Sequence, residues 1–296
     1  MSVASFFGRP GRRPHYGLRR LLVEGASVVL GAVIVIWSLI PIYNMFLVAL
    51  DPVGHNEFAG EIWPPHPTIA SFVALWTEEA DDVEHIWDQF GNSIYIGLLV
   101  MALTVLVSSL ASFAIGRMRL GKDWTLSNTA LLTYVIPSST LIIPFLRVMH
   151  IYGLLDNLWA VIAAEVTFAT PYAILVLLQY GKLIPIELDD AARIDGASVV
   201  QVYLRIYLPL MAPVLAAVGT YALLFAWNDY FYQYMLLMSE RHTTVAVALE
   251  QFFDDDDAPW NYMMAIAIVY SLPPIAIFYA LRRYMATGLT AGGIKG

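Results

Sequence analysis

The sequence predicts an all-α integral membrane protein with six transmembrane helices, and three observations carry that expectation. Hydrophobic residues make up 59% of the chain and charged residues 14%, with a positive mean hydropathy, beyond what an ordinary soluble domain carries. Six apolar runs lie between charged clusters, each near the roughly 20 residues a helix needs to cross a hydrocarbon core of about 30 Å. The runs are rich in Leu, Ala, Ile and Val and lack the alternation of barrel strands, so each satisfies its backbone internally as a helix.

In chain order, residues 1–26 form an N-terminal segment and residues 27–50 the first span, Ser27 to Leu50. That run is too long for a signal-peptide core and no convincing small-residue cleavage site follows it, so it is expected to remain as an anchor. Residues 51–89 form a loop in which Pro64, Pro65 and Pro67 precede a short apolar stretch, Ile69 to Trp76, with the character of an interfacial helix. Residues 90–281 read as one five-helix unit: Ser93 to Ile115, Leu126 to Val148, Leu158 to Tyr180, Pro209 to Leu237 and Tyr262 to Leu281, with a polar loop at 181–208. Residues 282–296 form a tail.

The basic residues set the expected orientation. Arg9, Arg12, Arg13, Arg19 and Arg20 precede the first span, Arg117, Arg119 and Lys122 follow the second, Lys182, Arg193 and Arg205 lie in the polar loop, and Arg282, Arg283 and Lys295 lie in the tail. Arg147 and Arg241 are left for the other side. The positive-inside rule then places both termini, the short second-to-third loop and the 181–208 loop in the cytoplasm. The net charge of −8 is mainly external acid, in the first loop and at Asp254 to Asp257, and it reads as solvated loop surface. Those four Asp lack the ligand spacing and turn glycine of a calcium loop, and no metal site is expected. Cysteine is absent, so there is no disulfide or thiolate site.

The segment from Glu187 to Pro213 is the charged interruption between two apolar runs. Glu187, Asp189 and Asp190 crowd the first turn of a helix, where negative charge complements the macrodipole. Leu188, Ala191 and Ala192 stand at i, i+3 and i+4 and give a narrow face of small side chains. Asp195-Gly196 stops that helix, because glycine takes the left-handed conformation of a C-terminal cap. Ser198 with Gln201 is a capping-box pattern for a second helix, expected to run to Ile206 until Pro209 and Pro213 mark the return to the membrane. The sum is a helix-turn-helix elbow, a shape that fits a groove of another protein and passes rigid-body motion to the spans it continues into.

The spacing Asp190-Ala191-Ala192, then Gly196, Ile206 and Leu208-Pro209 resembles the EAA loop of ABC importer permeases, with Asp in place of the usual leading Glu. Trp227-Asn228-Asp229, the Gly288 to Gly296 tail, Ala111 to Arg119 and Gly153-Leu-Leu-Asp-Asn are similar to the carbohydrate-importing branch, in particular the maltose-type second permease. The resemblance implies the type I ABC importer permease fold and an ATPase-coupling role for Glu187, Asp190, Ala191, Ala192, Asp195, Gly196, Ala197, Ile206 and Pro209. It also implies a second homologous permease subunit, two cytoplasmic ATP-binding subunits that hold ATP and magnesium, and an extracytoplasmic solute-binding protein. The tail, through Gly292, Gly293 and Lys295, would reach the ATPase interface.

No cofactor is expected on this chain, and it is not expected to be an enzyme. Gly116 to Lys122 matches the start of a phosphate-binding loop, but Asp123 replaces the Ser or Thr that would hold magnesium and no strand precedes it. These basic residues read instead as inner-leaflet anchors. The six His are scattered, and no HExxH or Gly-x-Ser-x-Gly pattern occurs. No nucleic-acid partner is expected.

Polar side chains within membrane helices face a cavity or another helix. Glu165, Asn228 and Asp229 fall in the outer half, and Tyr221, Phe225, Asn228 and Tyr232 recur at i, i+4, i+7 and i+11, a stripe of aromatic faces with an amide that would suit a sugar. Interhelical packing and structural hydrogen bonding are the alternative roles for these residues. The expected function is import of a carbohydrate by alternating access, with the elbow transmitting ATPase closure. The alternatives are the same architecture carrying glycerol phosphate or a polyol, an ion-coupled carrier using Glu165 and Asp229, and a non-transporting scaffold.

Overall fold

The computed structural model describes residues 17–52, 62–78, 83–118, 132, 136–253 and 259–291, and the regular elements among them are all helical. The helices are α1 Gly17–Ala49, α2 Ala70–Thr77, α3 Ile86–Arg117, α4 Ile142–Ile151, α5 Leu158–Gly181, α6 Glu187–Ile194, α7 Val199–Val202, α8 Leu208–Trp227, α9 Phe231–Leu236, α10 Val245–Gln251 and α11 Trp260–Ala291. Five helical stretches among the described residues are long and apolar enough to cross a bilayer: α1, α3, α5, the run from Val199 to Trp227, and α11. Of the expected third span Leu132, the 3₁₀ turn Ser138–Leu141 and α4 are described in helical form, most of its first half lying outside the described residues, as do Gly292, Gly293, Lys295 and Asp254 to Asp257.

Two expectations for the fifth span are corrected. Pro209 does not break the chain away from the elbow: α7 passes through one π-helical turn, Tyr203–Tyr207, directly into α8. A proline ring clashes with the carbonyl four residues before it, and the wider turn just ahead of Pro209 accommodates that misfit. The span also ends early, at Trp227, and α9 is a separate helix rather than its continuation to Leu237. Asn228 turns its amide back onto the Leu224 carbonyl at 2.7 Å, and Asp229 Oδ2 accepts from the backbone N–H groups of Tyr232 and Gln233 at 3.0 and 3.2 Å. Short polar side chains that compete for backbone partners in this way end one helix and start the next.

α3 is the central element, packing against α5 and α8, while α8 also meets α11 and α11 meets α1. Gly219 on α8 permits the close approach, since a Cβ there would stand 3.3 Å from both Met101 and Val105 of α3. Small residues at such crossings are how membrane helices gain contact without a hydrophobic driving force. A mid-bundle cluster includes Ile96, Val100, Ala160, Val161, Ile162 and Ala226. A second cluster lies under α2, α10 and the start of α11, and a third, with Phe113, Leu177, Val202, Tyr203, Tyr207 and Met211, lies at the elbow end. The apolar window of α1 is 0% buried; only its last residues, Leu47 and Ala49, are buried against the bundle.

At the end away from the elbow, the Gly153-to-Asn157 turn is locked to the α9–α10 connection. Gly153 and Asp156 both take positive φ, 67° and 56°. Asp156 accepts from the Met238 and Ser239 backbone N–H groups at 2.9 and 3.0 Å and from the Ser239 hydroxyl, and His242 Nδ1 lies 3.1 Å from Oδ2. Burial pushes this carboxyl upward, but the donors from Met238, Ser239 and His242 outweigh it and hold it down at about 2.

Gly219→Leu is expected to lower stability by about 1–3 kcal/mol through overpacking, read as a thermal unfolding shift, whereas Gly91→Ala, with open space around it, should leave the midpoint nearly unchanged. Asp156→Ala should cost about 2 kcal/mol, the usual worth of a hydrogen bond to a charged group. Because the folded-state value is depressed, this contribution is complete above the ordinary carboxylate value of about 3.9 and is lost only as pH falls toward about 2. Unfolding midpoints of wild type and variant should therefore stay apart at pH 5 and above and converge below pH 4; convergence already by pH 5 would contradict the assignment.

Candidate functional site

The elbow is built as its residues dictate. The first turn of α6 carries Glu187, Asp189 and Asp190, and Arg193 lies in its last turn, both complementary to the helix dipole. Gly196 takes φ +85°. The Ala197 N–H bonds to the Ala192 carbonyl at 2.9 Å and the Gly196 N–H to the Arg193 carbonyl at 3.1 Å, the paired bonds of a Schellman cap. Two residues on, the Ser198 hydroxyl accepts from the Gln201 N–H at 3.3 Å and the Gln201 side chain accepts from the Ser198 N–H at 2.7 Å, completing the capping box. Caps on both sides of one glycine leave the angle between α6 and α7 little freedom.

The coupling candidates divide by exposure. Glu187, Ala191, Asp195, Gly196 and Pro209 are exposed, while Asp190, Ala192, Ala197 and Ile206 are half-buried. Ala192 and Ala197 lean on the elbow-end core. Ile194, at 86% exposure, and Leu188 present apolar side chains outward from α6, so this small helix offers both acid and apolar surface to whatever covers it.

Two further residues were not picked out as a pair. Arg117, expected to anchor the leaflet, is instead buried, with its side chain 5% exposed and that of Asp189 3% exposed. Arg117 Nη1 lies 3.3 Å from Asp189 Oδ2. Its Nη2 donates to the carbonyls of Gly181 and Ile184, both at 3.1 Å, which lie on the chain leading into α6. The guanidinium also stands 6.0 Å from the Tyr207 ring centroid. A buried guanidinium needs such partners, because an unpaired charge away from water is prohibitive. The signal available in sequence was an extra acid just before the Asp190-Ala-Ala triplet, but nothing local pairs it with an arginine at the end of another helix.

The substrate-pathway candidates do not form one stripe. Tyr221 stacks on Phe225 and packs on Tyr172, with ring centroids 5.9 and 4.5 Å apart, and Asn228 is exposed beyond them. Tyr232 belongs to α9, turned inward, where its hydroxyl donates to the Ser138 carbonyl and its ring meets Phe145 and Phe168. Asp229 caps α9 and lies beside Glu165, which is 1% exposed. In this conformation Glu165, Asp229 and Tyr232 hold helices together, and the aromatic group of exposed Tyr172 with half-buried Tyr221 and Phe225 is the part that could meet a ring-bearing solute.

Residues 109–290 match the family model described as binding-protein-dependent transport system inner membrane component. The chain is 32% identical over 209 residues to the inner membrane ABC transporter permease protein YcjP of Escherichia coli (strain K12), covering 71% of this chain and 75% of that one. It is 29% identical over 270 residues to the trehalose transport system permease protein SugB of Mycobacterium tuberculosis (strain CDC 1551 / Oshkosh), covering 90% and 96%. In fold it is similar to a chain from the crystal structure of a bacterial ABC transporter involved in the import of the acidic polysaccharide alginate, with a TM-score of 0.77 at 20% identity, over 92% of this chain and 99% of the other.

Proposed function

Since the chain belongs to the family of binding-protein-dependent transport system inner membrane components, among the sugar ABC importer permeases, we propose that it is one of two membrane subunits of an ATP-driven carbohydrate importer. The observation that carries this reading is the doubly capped elbow with its exposed acid and apolar surface, continuous through the π turn with a membrane span. Two ATP-binding subunits would seat α6 in a groove on the cytoplasmic side, and a solute-binding protein would deliver the sugar to the opposite mouth. Closure of the ATPase pair then pulls both elbow arms together, and the spans open first outward and then inward. ATP and magnesium stay on the partner subunits; this chain contributes movement, not hydrolysis.

A neutral sugar is favoured over glycerol phosphate because only Arg147 and Arg241 fall on the side assigned to delivery, and an anion needs positive charge along its route. Tyr172, Tyr221 and Phe225 supply aromatic faces of the kind sugar rings stack on.

The reconstituted complex should take up at least one of trehalose, maltotriose and arabinotriose only in the presence of ATP, and glycerol 3-phosphate should not compete; uptake without the ATP-binding subunits would contradict the reading. Gly196→Arg should abolish that uptake. Within the chain nothing lies within 4 Å of a Cβ at Gly196, so the damage comes from the positive φ and from a long side chain projecting into the docking surface. Wild-type uptake by this variant would remove the elbow from the mechanism.

A further inference from the structure

The elbow is held to the membrane bundle from one stripe of α3. Ser109, Ser112, Phe113 and Arg117 recur at i, i+3, i+4 and i+8 and so share a helix face. Ser109 shares a hydrogen bond with the Tyr203 hydroxyl at 2.8 Å, and Ser112 with that of Tyr207 at 3.0 Å. Phe113 meets both rings edge-on, with centroids 5.2 and 5.0 Å away, and the two tyrosines stack on each other. These contacts grip the second arm of the elbow. The first arm is gripped differently: Asp189 is the single buried residue of α6, and what it meets is Arg117. The same guanidinium donates to Gly181 and Ile184 and lies beside Tyr207, so it touches both arms at once.

Stability alone does not account for that choice. A buried ion pair pays for its own desolvation, and apolar side chains of similar volume commonly replace one at no loss. What a charge contact adds is position: Asp189 Oδ2 stands 3.3 Å from Nη1 with no hydrogen bond to it among the described residues, so attraction to the guanidinium holds the carboxylate in place, whereas an apolar patch lets a short helix slide.

We propose that the Arg117–Asp189 pair is a positioning element for coupling, which makes the end of α3 and the two elbow arms one rigid body, so that force applied to α6 moves α3 together with α8. This rests on the reading that ATP-binding subunits drive the elbow. Without the pair, α6 would move against the bundle, and the spans would respond less to the ATPase.

The test uses the full complex in lipid nanodiscs, with the solute-binding protein loaded with whichever of trehalose, maltotriose and arabinotriose it binds. The readout is the ratio of ATP hydrolysis with and without that protein. The double variant Arg117→Met/Asp189→Leu replaces both charges with apolar side chains, and the near-isosteric Asp189→Asn serves as the second variant if the double one does not assemble. The double variant should keep a thermal midpoint close to wild type, Asp189→Asn should lower it because the buried guanidinium loses its carboxylate, and in either assembled complex the stimulation ratio falls by about tenfold, within the usual range of coupling between separate sites. A merely structural pair would shift the midpoint and leave the ratio of the assembled complex intact. Wild-type stimulation in an assembled variant overturns the proposal alone. A wild-type complex that shows neither stimulation nor ATP-dependent uptake overturns the functional reading and the proposal with it.

Discussion

A guanidinium withdrawn from water at the end of a membrane helix organises the elbow end of this molecule. Arg117 cannot be buried without partners, and those it has among the described residues lie between Gly181 and Tyr207. An isolated helix as short as α6, eight residues, would be marginal in water, well below the roughly 12–15 residues that hold a helix unaided. Its angle to α7 comes from the Schellman cap and the capping box, and its position comes from α3. The elbow is therefore not a loose loop between spans but an extension of the bundle, fastened at Asp189 on one arm and at Tyr203 and Tyr207 on the other.

Much of this was legible in the sequence because it is local. The start and stop of α6, the glycine turn, the Ser198–Gln201 box and the short helix at Ile69 to Trp76, seen as α2 at Ala70–Thr77, follow from residues a few positions apart. The spans followed from hydropathy: four are found close to their expected bounds, while the fifth is shifted toward the elbow, Val199–Trp227 in place of Pro209 to Leu237. What failed to show was what depends on distant partners. Arg117 read as one more inside-facing cation because its carboxylate lies on another helix. The break at Asn228 was hidden because Asn and Asp within an apolar run look like polar lining, and whether they turn back on the backbone is decided by packing. Tyr232 was drawn into a stripe by a helical spacing that does not persist past Trp227.

The two ends of the bundle are built to different ends. At the elbow, side chains fix one rigid arrangement through a charge pair and two hydroxyl contacts, as a lever arm requires. At the other end, Asp156 ties the turn before α5 to the chain after α9 through backbone donors, and Gln233 reaches back to the Ala226 carbonyl and accepts from Thr244. Between them lie the aromatic group and the buried Glu165, in the region where opposing halves of a transporter would separate. Driving motion from the elbow to that middle zone would have a direct route along α3 and α8, which approach at Gly219 with only the Met101 and Val105 side chains of α3 against the glycine.

The chain has no cysteine, so a pair of introduced ones can be labelled without background. Spin labels at Met118, just past the end of α3, and at Arg193, exposed in the last turn of α6 and outside the residues assigned to coupling, report the separation of the two parts by pulsed electron resonance. In the assembled complex the account predicts the same distance distribution with and without ATP, since the end of α3 and the elbow move as one. A distance that changes on ATP binding would contradict it.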